Sequence, residues 1–114
     1  MANDEIKINP KLLETAREIF ITISEQRPEH SFSFVLTDEG YHALEDTIKV
    51  VEWGIGGNKP KLKETALEQL AEFKSIEQGN PVNINMTEYE LKSMGEVVEA
   101  IDKALDSHED GVLA

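Results

Sequence analysis

Cysteine is absent from the 114 residues of this sequence. Its absence excludes disulfides, thiolate nucleophiles and thiolate metal ligands. Bases are also scarce, because 11 Lys and Arg stand against 23 Asp and Glu and leave a net charge of -12. The phosphates of nucleic acids and of anionic membranes bind basic patches, so we expect neither as a direct partner. A cationic protein partner is compatible with this charge.

Long apolar runs are missing as well. No segment approaches the roughly 20 apolar residues that a membrane-spanning helix needs. The acidic N-terminal residues 1–5 do not resemble a signal peptide. The sequence therefore predicts a cytoplasmic protein with no membrane partner. Its length favours a single domain over residues 1–114, and its 39% hydrophobic content is typical of a folded chain.

What the sequence does contain is an internal repeat with an offset of 50 residues. Residues 10–18, PKLLETARE, return at 60–68 as PKLKETALE, and the similarity continues at this offset without a gap. Repeated segments form equivalent structures, so the repeat constrains the fold. We predict two units, residues 10–55 and 60–105, joined by a glycine-rich linker over residues 54–59.

Each unit shows the pattern helix, strand, helix. Apolar residues at helical spacing follow Pro10 and Pro60, and proline suits the first turn of a helix. Apolar and polar residues then alternate over 32–36 and 82–86, which is the pattern of a strand with one buried face. A further apolar stripe at steps of three and four residues predicts the last helix of each unit.

The last helices begin differently in the two units. Thr87 is followed three residues later by Glu90, which is the spacing of a capping box. Thr37 has Gly40 at that place, so its cap is only half made. We expect both helices to begin at these threonines, with the weaker start at Thr37.

The predicted fold is α+β: an internal duplication of an αβα unit whose short antiparallel sheet packs against about four helices. The order strand, helix, helix, strand contains three connections. If the chain reverses at each of them, the two strands run antiparallel. Two strands alone are marginally stable, so either helices cover one face or strand edges join between chains. Exposed edges are templates for pairing, which favours a homodimer. Residues 6–8 are a candidate edge strand, and residues 107–114 a frayed tail.

One candidate site is the basic cluster before the second unit. Gly56 and Gly57 are followed by Lys59, Lys61 and Lys63, close to a predicted helix N-terminus. Backbone N–H groups at such a terminus, together with lysines, bind anions. The alternative is a helix C-cap followed by solvated lysines, because the spacing matches no phosphate-loop motif.

A second candidate site is a protein-binding surface. Trp53 is the single tryptophan, and tryptophan is enriched where interfaces are strongest. Ser33, Asn83 and Asn85 fall on the polar face of the predicted strands. The alternatives are that Trp53 covers an edge of the core and that the polar face contacts only solvent.

A third candidate site is the acidic side of the last helix. Glu99, Asp102 and Asp106 lie away from its apolar stripe, and the equivalent helix of the first unit is also acidic. Two such helices, related by a twofold axis, would present carboxylates in the manner of duplex phosphates. The alternative is an ordinary solvated helix face.

Catalysis finds little support in these residues. No serine lies in a Gly-x-Ser-x-Gly elbow, and spacing selects no pair of carboxylates for acid–base work. We expect no enzyme, no cofactor and no metal. The favoured hypothesis is a small acidic, non-catalytic adaptor or regulatory module that binds a protein and forms a homodimer. The alternatives are an acidic decoy that inhibits a basic protein, and a domain that binds a phosphate or another anion.

Overall fold

A computed structural model describes residues 5–55 and 59–113 of the chain. Within them, four helices pack beside two small antiparallel sheets, and both the α+β class and the antiparallel sheet are as predicted. The helices are α1 (Pro10–Ser24), α2 (Asp38–Gly54), α3 (Pro60–Lys74) and α4 (Glu88–Ser107). The strands are β1 (Ile6–Lys7), β2 (Phe32–Phe34), β3 (Val82–Ile84) and β4 (Val112–Leu113).

The helix starts follow their capping residues. The Asn9 side chain accepts hydrogen bonds from two backbone N–H groups of the first turn of α1, and Pro10 is the first helical residue. Thr87 and Glu90 form a complete capping box at α4. Thr37 only accepts a bond from the N–H of Gly40, since glycine has no side chain to return it. The half-made cap of α2 is therefore confirmed.

β2 and β3 pair around a central pair formed by Ser33 and Asn83, which are 50 residues apart. Their flanking apolar side chains are half-buried, while Ser33 and Asn83 are exposed. The bonds from Glu29 N–H to Met86 O (2.9 Å) and from Gly79 N–H to Leu36 O (2.8 Å) repeat the same relation outside the strands. This symmetry is what the repeat predicts, and a duplication as its origin stays a hypothesis.

The core lies between the helices, and side chains of the β2–β3 pair pack against it. α2 and α4 pack on each other, and each packs on both α1 and α3. The Phe73 ring of α3 lies 6.4 Å from the ring of Phe20 on α1 and 5.2 Å from that of Phe34 on β2. The largest side chains with almost no exposure are Phe20, Leu13, Leu36, Leu70, Met86, Met94, Ile101 and Leu113. The aromatic contacts thus join both units and the strands in one core.

The two ends of the chain differ from the prediction. Residues 6–7 do not extend the β2–β3 sheet but pair with β4, and the tail folds back where fraying was expected. Leu113 is fully buried, and the N–H of Ile8 donates to Gly111 O at 2.8 Å. Burial of the Leu113 side chain and a left-handed turn at Gly111 (φ 80°) hold this end against the core. The predicted linker 54–59 begins inside α2, and its residues 56–58 lie outside the described ranges.

The turn at Gly111 provides a test of the folded tail. A Cβ there would lie 2.7 Å from the carbonyl oxygen of Ile8, whereas a Cβ at Gly79 would meet nothing within 4 Å. Both glycines have positive φ, so alanine at either costs about 1–2 kcal/mol. We expect Gly111→Ala to lower the free energy of unfolding further than Gly79→Ala, in urea melts followed by Trp53 fluorescence. Equal losses would contradict the β1–β4 pairing.

Candidate functional site

The residues predicted for the polar strand face do lie together. Ser33 and Asn83 stand directly opposite each other on exposed positions of β2 and β3. Asn85 is exposed just beyond β3, and its Nδ2 donates to the carbonyl oxygen of Glu29 at 3.4 Å. The three side chains thus share the outer side of the sheet, at the end of the molecule where α2 and α4 begin.

Trp53 is remote from that surface. It lies 15 positions after Asp38, the first residue of α2, which corresponds to about 23 Å along the helix. Its side chain is half-buried against the core, and Lys103 Nζ lies 5.1 Å from the ring centroid. Trp53 and the strand face therefore belong to opposite ends of α2 and do not form one binding surface.

The three acids predicted on α4 are not equivalent in the fold. Asp102 accepts a hydrogen bond of 2.5 Å from Arg17 Nε and so connects α4 to α1. Glu99 and Asp106 are exposed, and Lys103 lies between them on the helix. The carboxylate of Asp102 is therefore partly neutralised by Arg17, and the row is interrupted by a positive charge.

Two other acidic rows were missed from the sequence. Glu64, Glu68 and Glu72 are exposed along α3, and Glu14 and Glu18 are exposed along α1. Each row has a spacing of four residues, which places the carboxylates side by side on one helix face. Like charges at this spacing weaken a helix by a few tenths of a kcal/mol. The regular spacing in the sequence was the available signal.

The lysines of the predicted anion site have protein partners. Gly56 and Gly57 lie outside the described residues. Lys59 Nζ is 2.8 Å from Glu96 Oε1, a hydrogen bond that raises the pKa of the lysine. Lys63 Nζ donates to the carbonyl oxygen of Glu52 at 2.9 Å. Of the three lysines, Lys61 alone is exposed with no such bond in the described part of the chain.

Histidine and carboxylate groups meet at one place on α2. His42 Nδ1 lies 3.0 Å from Glu45 Oε1, and Lys74 Nζ lies 3.4 Å from Glu45 Oε2. The hydrogen bond with His42 lowers the pKa of the Glu45 carboxyl, and Lys74 adds to the effect. Across residues 5–55 and 59–113, no group of three or more His, Asp or Glu side chains is arranged to hold a metal ion.

An apolar groove beside β2 is the feature that the sequence did not predict. It has a volume of about 250 Å³ and lies between β2 and its following loop, α1 and the start of α2. Val35, at its mouth, is 45% exposed, although it is a large apolar side chain. We call it the β2 groove; its lining residues are Thr15, Ile19, Phe34, Val35, Leu36, Thr37, Gly40 and Leu44.

The equivalent place beside β3 has different chemistry. Gln69 stands where the first unit has Ile19, and its Nε2 donates to Glu90 Oε2 at 2.8 Å. Glu90 in turn stands where the first unit has Gly40, and its Oε1 accepts from the N–H of Thr87 at 2.8 Å. These two side chains line a β3 groove together with Asn83 and Asn85. Phe73, Ile76, Val82 and Ile84 also line it, so its lining is mixed. Among the described residues, the groove beside β2 is thus mainly apolar, whereas the one beside β3 also holds charged and amide side chains.

Acidic residues accompany the β2 groove. Glu14 and Glu18 are next in sequence to the lining residues of α1, and Asp38 and Glu39 are next to those of α2. All four are exposed, and we call them the acidic border. Arg17, the base on α1 next to Glu18, is paired with Asp102 of α4. A ligand in this groove therefore meets apolar walls and a negative surrounding.

No family model, curated protein or solved structure matches this chain. Among the described residues, none of the helices is both long enough and apolar enough to cross a membrane.

Gly40 is where a small change alters both cap and groove. Alanine favours a helix over glycine by about 0.5–1 kcal/mol. A Cβ at Gly40 would lie 3.1 Å from Thr37 Oγ1. The second unit accommodates a Cβ at the equivalent Glu90, where the bond from the backbone N–H to Thr87 Oγ1 is 3.1 Å long. The corresponding bond from Gly40 to Thr37 is 2.9 Å, so a small lengthening should suffice. We expect Gly40→Ala to raise the melting temperature. A lower melting temperature would show that Thr37 cannot shift.

The lowered pKa of Glu45 predicts a dependence of stability on pH. In the folded state this carboxyl stays ionised to a lower pH than in the unfolded chain, where its pKa has the ordinary value of 4.5. Its contribution is therefore complete above that value and is lost as the pH falls below it. We expect Glu45→Gln to lose less stability than the wild type between about pH 5 and 3 in urea melts. Glu68→Gln, on the exposed face of α3, is the control and should follow the wild type.

Proposed function

We propose that this protein is a non-catalytic protein-binding module that docks a partner along the outer edge of β2. The observation that carries the proposal is the apolar β2 groove, with Val35 45% exposed at its mouth. β2 pairs with β3 on one side, and no described strand pairs with its other side. Open strand edges accept extended chains, and adjacent grooves accept their alternate side chains.

The size and lining of the groove favour a side chain over a small-molecule substrate. Its volume of about 250 Å³ lies below the roughly 300–1,000 Å³ of typical ligand cavities. Its polar side chains are the hydroxyls of Thr15 and Thr37. Thr15 Oγ1 donates to the carbonyl oxygen of Lys11, and Thr37 Oγ1 accepts from the N–H of Gly40. Among the described residues, neither hydroxyl is hydrogen-bonded to a base that would activate it, which supports binding without catalysis.

The acidic decoy is a second candidate, favoured by the exposed rows on α1 and α3. Glu64, Glu68 and Glu72 present three carboxylates along one helix. A basic partner held by them would be attracted at long range and released by salt. Changing these three residues to glutamine should weaken such a partner and leave one held in the β2 groove unaffected.

The homodimer and the cytoplasmic location stay predictions. Sedimentation velocity over a range of protein concentrations tests the first, and fractionation of the source cells tests the second. A dimer that persists in Ile19→Gln/Gly40→Glu would use a surface other than the β2 groove.

The docking surface is tested by giving the first unit the residues of the second. We expect Ile19→Gln/Gly40→Glu to fill the β2 groove with polar atoms and to complete the cap at Thr37. Partner recovery from an extract of the source cells should then fall at least about tenfold, the effect of roughly 1.4 kcal/mol. The melting temperature should not fall, so the loss would not reflect unfolding.

Two control variants localise the effect. Asn85→Ser makes a small polar change at the equivalent edge of β3, and Trp53→Ala alters the opposite end of α2. Both should retain the partner. Loss of the partner in Trp53→Ala, with full recovery in Ile19→Gln/Gly40→Glu, would refute the proposed surface.

A further inference from the structure

We infer that the β2 groove binds an extended cationic segment of another protein, which adds to β2 as a third strand and inserts an apolar side chain into the groove. This inference rests on the proposed function and specifies its partner. It combines three observations: an open strand edge, an apolar groove beside that edge, and an acidic border around it.

The strand edge supplies the main-chain part of the interaction. β2 is already held in extended conformation by β3, with Ser33 opposite Asn83 in the register. A segment that pairs with its outer side satisfies backbone groups on both chains without reordering this protein. Alternate side chains of such a segment point to the same side. One of them can therefore occupy the groove at Val35, while its neighbours point away.

The groove distinguishes β2 from β3. An apolar side chain entering the β2 groove meets Ile19, Phe34 and Leu44. The β3 groove has apolar lining residues too, but Gln69 and Glu90 lie in it with their hydrogen bond of 2.8 Å. A side chain entering there would have to break that bond or leave it buried. An unsatisfied buried polar group is costly, so the apolar anchor favours the β2 edge.

The acidic border determines the charge of the segment. Glu14, Glu18, Asp38 and Glu39 are exposed and next in sequence to the lining residues. Arg17, the base beside Glu18, is paired with Asp102 of α4. Lysine or arginine residues flanking the apolar anchor are therefore attracted, and acidic ones are repelled. The net charge of -12 adds long-range attraction for any cationic chain.

The same charge argues against a second copy as the occupant. Pairing of two β2 edges would bring two acidic borders together, each on a chain of charge -12. Repulsion between like charges at an interface opposes that pairing. We therefore commit to a cationic partner, and self-association through β2 is an outcome that the experiment must detect.

The experiment uses synthetic peptides and the full-length ¹⁵N-labelled protein. The probe is a short peptide in which lysines alternate with valine and leucine. The first control peptide has the same composition with the lysines in one block, and the second has glutamate in place of lysine. Amide chemical shifts and affinities are measured at low and at moderate salt, for the wild type, Ile19→Gln/Gly40→Glu and Asn85→Ser.

We expect the alternating lysine peptide to shift the amide signals of residues 31–36 and to bind at least about tenfold more tightly than the block peptide, as for an apolar side chain in a fitted pocket. Ile19→Gln/Gly40→Glu should remove this difference, and Asn85→Ser should retain it. The glutamate peptide should not bind, and added salt should weaken the lysine peptide.

Four results would overturn the inference. Equal affinity for the two lysine peptides would show that charge alone binds them, and shifts centred on residues 82–86 would place the segment at the wrong edge. A dimer that Ile19→Gln/Gly40→Glu abolishes would make a second copy the occupant. The cellular partner could also depend on the β2 groove while the lysine peptide does not bind there. That result would retain the proposed function and refute the cationic segment.

Discussion

The pairing of β2 with β3 around Ser33 and Asn83 is the constraint on which the rest of the structure depends. It joins the two helix–strand–helix units through equivalent positions. Each strand therefore pairs with the other along one edge, and no described strand pairs with its second edge. Because α2 and α4 both begin just after these strands, the pairing also sets where their N-termini lie. The aromatic contact between Phe34 and Phe73 then ties the strands to the helical core.

Near symmetry makes the differences between the units informative. At three equivalent places the first unit has Ile19, Val35 and Gly40, where the second has Gln69, Asn85 and Glu90. The second set satisfies its own polar atoms through the bonds of Gln69 and Glu90, and this gives α4 its complete cap. The first set has no such bonds to make and leaves an apolar groove instead. A weaker cap and an exposed valine accompany that groove, which is the pattern expected where binding competes with local stability.

The acidity of the chain is used in different ways at different places. Asp102 holds α4 to α1 through Arg17, and Glu96 engages Lys59. Asp46 is almost buried and accepts the N–H of Asn9 at 2.7 Å, which anchors the start of α1. The acids of the border and of the α3 row face solvent. Glu99 and Asp106 on α4 are exposed as well. Because several of the other acids are paired or buried, the net charge overstates the acidic surface.

The sequence by itself determined the local elements. Helical spacing after Pro10 and Pro60 and alternation before Thr37 and Thr87 predict the four helices and strands β2 and β3, because these patterns involve residues a few positions apart. The 50-residue offset adds the equivalence of the two units, and the order of the elements gives the antiparallel pairing. Only the tertiary structure decided which surfaces these elements form. It separated Trp53 from the strand face, paired Asp102 with Arg17, buried Leu113 and assembled the β2 groove from α1, α2 and β2. These features are contacts between residues distant in sequence, which periodicity and capping do not specify.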